Sequence, residues 1–212
     1  MRHTRKIRRQ VVPTFSFVVD GETEIWYLQM LKRNERQFKI NIEPKLPQKK
    51  SVEEQYKLVI QLSEREYSKV FWIVDLDTII KESRETPKGK KSPIQTFIEL
   101  RKNLQKGYKN VIGIISNPCL EFWFLLHFEK TSKLFDTCGK AVIELKKHLK
   151  NYEKTQKYFT KQDHDIYLKL RPFLKTAILN SSSLGVFNMD EKMRAISEMF
   201  LLFETDDFKK HY

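Results

Sequence analysis

The sequence predicts an α/β domain: a mostly parallel sheet of about four strands, flanked by helices and followed by a helical C-terminal part. Three observations carry this. Four short apolar runs, at residues 14–19, 38–42, 70–74 and 111–115, alternate with stretches of helical spacing. Three of those runs stop at polar residues suited to a site: Asp20-Gly21, Asp75-Leu76-Asp77 and Ser116-Asn117-Pro118. Beyond residue 118 the pattern reads as helix, with no further convincing strand.

In order, a basic arm with Arg2, Arg5, Lys6, Arg8 and Arg9 precedes the first strand, TFSFVV at 14–19. Residues 22–37 have helical spacing, with Ile25, Leu28 and Leu31 on one side. Residues 38–42 alternate as a strand. Residues 51–67 form a helix opened by Ser51 and Glu54, a capping-box pair. VFWIV at 70–74 is a continuous apolar strand. Residues 81–93, polar and basic with Pro and Gly, read as a mobile loop. A helix at 94–104 leads to the strand VIGII at 111–115, and residues 118–150, 162–179 and 189–204 read as helical. We divide the chain into an α/β core with its basic arm at 1–130 and a helical extension packed on the same domain at 131–212.

A chain of 212 residues can bury a core without disulfides or structural metals. The two cysteines, Cys119 and Cys138, match neither a CxxC pair nor a zinc pattern and read as thiols of a reducing compartment. The start of the chain lacks the apolar segment of a signal peptide, and the longest apolar run falls well short of the ~20 residues that cross a bilayer. The expected location is the cytoplasm. Lys and Arg total 40 against 27 Asp and Glu, a formal charge of +13. Such a field attracts polyanions, and nucleic acid is the natural partner, although excess lysine also serves as plain solvated surface.

Against that charge, the acids at the strand ends stand out. Asp75 and Asp77, at i and i+2 of an extended segment, point to one side. Two carboxylates so close repel unless a hard cation such as Mg²⁺ sits with them; a solvated turn is the plain alternative. Asp20, Glu22 and Glu24 follow the first strand, where acids also suit a helix start. Glu121 lies in the otherwise apolar PCLEFWFLLHF, where a lone carboxylate is costly unless paired or bound to metal. Asn117 can cap that helix with Pro118 at its first position. His127 reads as a core histidine. Together the acids form a pocket in which Mg²⁺ or Mn²⁺ would serve phosphodiester chemistry, with basic surroundings to hold a nucleic-acid backbone.

The segments VVDGETE (18–24), FWIVDLD (71–77) and SNPCLEFWFLLHF (116–128) resemble the signatures of the RloB family, Toprim-like bacterial proteins associated with restriction loci and phage defence, related to OLD-like nucleases. The resemblance is best over residues 5–128. It implies a Toprim-like fold and metal-dependent cleavage of tRNA or DNA in abortive infection, and allows for a partner protein of a defence system. It places Asp20 at the first acidic position, usually Glu, and Glu24 at the second. Asp75 and Asp77 become the metal-binding pair and Glu121 the acid of the third motif. Lys154, in NYEKT with Tyr152, resembles a Y-x-K element and would neutralise charge in the transition state. The resulting catalytic set is Asp20, Glu24, Asp75, Asp77, Glu121 and Lys154, with the first four as metal ligands. Arg5, Arg8, Arg9, Lys88, Lys90 and Lys91 would grip phosphates.

Two other readings fit the same sequence. FWIVDLDTI also suits a haloacid-dehalogenase-like phosphatase with Asp75 as nucleophile, Asp77 as general acid, Ser116 on phosphate and Asp206-Asp207 as the last acids. A non-catalytic module that binds nucleic acid or a partner protein is the third.

Overall fold

A computed structural model describes residues 12–19, 21–45, 50–192 and 194–212. The basic arm with Arg5, Arg8 and Arg9 lies outside the described residues, as does Asp20. Strand β1 (Thr14–Val18) runs into helix α1 (Glu22–Asn34), β2 (Lys39–Glu43), α2 (Val52–Ser63) and β3 (Lys69–Asp75). Then follow α3 (Leu76–Glu85), α4 (Pro93–Gly107), β4 (Val111–Asn117) and α5 (Leu120–Leu126). The C-terminal part comprises α6 (Cys138–His148), α7 (Gln156–Phe159), α8 (Ile166–Leu170), α9 (Leu174–Leu184), a short strand β5 (Ile196–Ser197), α10 (Phe200–Phe203) and α11 (Asp206–Lys209).

The strands lie in the order β2-β1-β3-β4-β5, all parallel except the antiparallel last pair. The expected α/β class and mostly parallel sheet are therefore found. The chain leaves β1 in one direction to form β2, then crosses back to form β3 on the other side. In open α/β sheets the ligand crevice lies beyond the carboxyl ends of the strands at such a reversal, which here is the gap between β1 and β3.

Alternation along the strands sends side chains to two cores. Phe15, Phe17, Phe71, Ile73 and Ile114 pack with α1, α5 and the C-terminal helices. Val18, Val70, Trp72, Val74 and Ile115 pack with α2, α3 and α4. The sheet is covered on both faces, as parallel sheets require. Residues of α6 to α11, including Leu145, Tyr167 and Phe203, share the first of these cores with the sheet.

Several expected boundaries are corrected. The segment read as a loop from residue 81 is helical through Glu85, because Leu76, Ile79 and Ile80 give α3 one buried face. Its last turn is exposed and polar, so it looks like loop in sequence. The long helix expected over 118–150 is two helices, separated by residues 127–137. The segment 189–204 contains β5, which pairs with Ser116 and Asn117 of β4. A strand of two residues is too short to show a period of two. Asn117 does not cap α5: its side chain donates to the backbone oxygens of Lys192 (2.9 Å) and Arg194 (2.7 Å), and Cys119 is the N-cap residue. No described helix is long and apolar enough to cross a membrane.

Candidate functional site

A cleft of about 480 Å³ opens at the carboxyl ends of β1 and β3. Gly21, Thr23 and Glu24 of the β1–α1 turn line one side, and Asp75, Asp77 and Thr78 another. Lys50, Ser51 and Gln55, at the start of α2, contribute a third wall. Cys119, Cys138 and Lys154 complete it. Residues from six parts of the sequence thus meet at one point, and Glu24, Asp75, Asp77 and Lys154 of the expected set are among them.

The expected i, i+2 geometry of Asp75 and Asp77 is not what joins them. Asp75 ends β3, whereas Asp77 lies in the first turn of α3. The period-two rule stops where the strand stops. Asp77 still reaches the cleft because its backbone N–H donates to Pro118 O at 3.2 Å, which ties the helix start to the β4–α5 turn. Its Oδ1 accepts from the Thr78 N–H at 2.7 Å.

Asp75 and Glu24 form the centre. Their carboxyl groups are close enough to share a hydrogen bond. Burial raises the pKa of Glu24, and raises that of Asp75 strongly, with the neighbouring Glu24 and Glu121 carboxyls adding to the effect at Asp75. Asp75 Oδ2 accepts from the Leu120 N–H at 3.3 Å. Its Oδ1 is buried with no donor among the described residues when both acids are ionised. Two remedies exist for such a pair: a proton held between the carboxyls, or a cation. The donor set is all oxygen, with the buried Glu24 carboxylate, the half-buried Asp75 and Asp77 beside them, which suits Mg²⁺ or Mn²⁺.

Gly21 makes this arrangement possible. A Cβ there would stand 2.1 Å from Glu24 Oε2. The backbone at Gly21 is extended, at φ −100° and ψ 160°, so the requirement is space rather than conformation. Gly21→Ala should fold normally while displacing the Glu24 carboxylate. Mn²⁺ affinity measured by titration calorimetry should fall by about tenfold or more, the scale of a disturbed ligand shell; unchanged affinity would mean that Glu24 does not ligate.

Glu121 is fully buried and does not line the cleft. Its Oε1 accepts from Tyr152 Oη at 2.9 Å and from Lys154 Nζ at 2.7 Å, and its Oε2 lies 3.0 Å from Cys138 Sγ. Glu121 thus orients Lys154, whose side chain is 44% exposed and turned to the cleft. The sequence carried the hint in Y-x-K but not the pairing. The cysteines, read as separate thiols, are joined by a disulfide across a separation of 19 residues. Their sulfurs and the Glu121 carboxylate lie within 4.8 Å of one another, a possible metal trio, but bonded sulfurs are not thiolate ligands.

Lys88, Lys90 and Lys91 are exposed around the 86–92 turn and do not line the cleft; Lys91 pairs with Glu99. Among the described residues, Lys50 joins Lys154 as a cation lining the cleft; sequence reasoning missed it because its position is set by the capped start of α2. An adjoining hollow of about 250 Å³ shares Asp77 and Thr78 and adds Lys81 and Arg84. His127 is a core residue: its Nδ1 faces Trp123 O at 2.9 Å, and burial lowers its pKa to about 4.

A family model described as RloB-like protein matches residues 15–205 of this sequence. The chain belongs to the RloB-like family. Comparison with curated proteins and with solved structures finds no match. In this RloB-like chain the matched span includes Glu24, Asp75, Asp77, Glu121 and Lys154, and it extends through β5.

The two ends of the sheet are chemically distinct. Asp206 and Asp207 sit on α11, whose Phe208 packs in tilted contacts against Phe38 and Phe15 at the amino ends of β2 and β1. They are at the opposite end of the sheet from Asp75. The Ser116 hydroxyl is buried, has no hydrogen-bond partner among the described residues and does not line the cleft.

Proposed function

We propose that this chain is a Mg²⁺- or Mn²⁺-dependent nuclease with a Toprim-like site, acting on tRNA or DNA in phage defence within the cytoplasm. The observation that carries the reading is the close Asp75–Glu24 carboxyl pair at the topological reversal of the sheet, with Glu24 buried and the enclosed Asp75 Oδ1 without a hydrogen-bond donor among the described residues. Glu24, Asp75 and Asp77, with Asp20, would hold the ion. When bound, such an ion supplies Lewis-acid stabilisation of a phosphoryl oxygen and a more acidic water. Lys154, held by Glu121 and beside the cleft, places a positive charge where phosphate charge builds up. Lys50 at the rim and the net charge of +13 favour a polyanionic substrate. The phosphatase reading loses its supporting residues, since Ser116 is enclosed and Asp206-Asp207 are at the far end of the sheet.

The test is incubation with supercoiled plasmid, single-stranded DNA and total tRNA in Mg²⁺ or Mn²⁺, alongside Asp75→Ala/Asp77→Ala. Wild-type protein should cut at least one substrate and the double variant none. Hydrolysis of a small phosphomonoester without nucleic-acid cleavage would favour the phosphatase. Tight nucleic-acid or protein binding without either activity would favour the non-catalytic module.

A further inference from the structure

The disulfide has no part in the chemistry above, yet both of its residues line the cleft. Cys119 is the N-cap of α5, two residues before Glu121, and Cys138 opens α6. The bond therefore tethers the start of α6 beside the acid that orients Lys154. Cys119 is buried, at 2% exposure, whereas Cys138 is half-buried at the rim. Cys138 Sγ stands 3.0 Å from Glu121 Oε2 and 3.2 Å from Lys154 Nζ.

The protonation of that sulfur decides what Glu121 meets. In the disulfide Cys138 carries no proton, so it offers Glu121 Oε2 nothing to accept. As a thiol it becomes a donor at hydrogen-bond distance to that oxygen. As a thiolate it would draw Lys154 away from Glu121. Each change falls on the one carboxylate that positions Lys154.

We propose that Cys119–Cys138 is a thiol–disulfide exchange site whose redox state sets the hold of Glu121 on Lys154, and through it the cleft; its effect on cleavage rests on the nuclease reading. The reductant is a dithiol. One of its thiolates attacks Cys138 Sγ, the more accessible sulfur, and forms a mixed disulfide. The Cys119–Cys138 bond breaks with its electron pair leaving on Cys119, which takes a proton from water. The second thiol of the reductant, as thiolate, attacks its own partner sulfur in the mixed disulfide and releases Cys138, which is protonated in turn. The protein gains two electrons and two protons and the dithiol becomes a disulfide.

The experiment uses the full chain with dithiothreitol as the dithiol. Thiols are counted with a maleimide probe before and after native reduction. Reactivity of the Lys154 amine is followed by competitive acylation and peptide mass, Mn²⁺ affinity by calorimetry, and cleavage in parallel. The expected result is no labelling before reduction and labelling of both cysteines after it, without denaturant. A change of about tenfold or more in Mn²⁺ affinity or cleavage should follow, the scale for groups acting through a ligand shell. Cys138→Ser should be insensitive to dithiothreitol in every readout. Free thiols in air-oxidised protein, or reduction only after unfolding, would overturn the exchange site. Native reduction that leaves Lys154 reactivity, affinity and cleavage unchanged would overturn its control of the cleft. If neither redox form binds Mn²⁺ or cuts nucleic acid, the nuclease reading fails, and Lys154 reactivity alone decides the switch: a redox-dependent change upholds it and an unchanged amine rejects it.

Discussion

Asp75→Asn will lose nucleic-acid cleavage by more than about 100-fold, beyond what outer-shell partners of a metal cost, while leaving the metal-free protein at least as stable as wild type at pH 8. The two effects have one cause. Burial and the neighbouring Glu24 and Glu121 carboxyls raise the pKa of Asp75 well above its ordinary 3.8. Between that ordinary value and the raised one, the folded state holds a proton that the unfolded chain has released. Stability then falls as pH rises through the window, because the native state binds the extra proton. Asparagine keeps the shape and removes the charge, so this loss disappears. Mn²⁺ reverses the picture in wild type alone: at about 100 times its dissociation constant, a ligand specific to the folded state adds about 2.7 kcal/mol. Urea unfolding at pH 5 to 8, with and without Mn²⁺, reads both terms. Equal Mn²⁺ stabilisation of Asp75→Asn would remove Asp75 from the ligand set.

Arg101→Met should cost about 3–5 kcal/mol of folding stability, the scale for leaving one member of a buried ion pair alone. Glu198 is fully buried, in the two-residue gap between β5 and α10. Its Oε2 accepts from Arg101 at 2.6 Å and from the Ile115 N–H at 2.9 Å, and its Oε1 accepts from the Phe187 N–H at 2.9 Å. Arg101 comes from α4 and also donates to Gly113 O at 3.1 Å. It crosses the backbone at Gly113, where a Cβ would stand 3.2 Å from its Cγ. The pair therefore fastens the C-terminal strand to β4. Denaturant unfolding of the variant gives the number directly. A loss under about 1 kcal/mol would place the pair with ordinary exposed salt bridges.

Much of the architecture was readable because it follows from local rules. Apolar runs at 14–19, 70–74 and 111–115 became β1, β3 and β4, since a strand buried on both faces needs an unbroken run of β-branched and aromatic residues. Ser51 and Glu54 formed the expected capping box. The acids at the ends of β1 and β3 met at one cleft because parallel strands all present their carboxyl ends to the same side. Other features were hidden in the sequence. The polar last turn of α3 looks like a loop, and β5 is too short to carry a period. The cysteine pairing carried no spacing signal.

By itself, then, the sequence determined the layered α/β class, the parallel core strands and the placement of Glu24, Asp75 and Asp77 near strand ends, because periodicity and chain direction act over a few residues. Tertiary structure alone decided that Asp77 reaches the cleft from a helix, that Glu121 is enclosed and spends itself on Lys154 and Tyr152, and that Cys119 bonds Cys138. It also decided that Glu198 is clamped by Arg101, 97 residues away. Each of these depends on which distant segment fills the space beside a buried polar group, and that is set by packing of the whole chain rather than by neighbours in sequence.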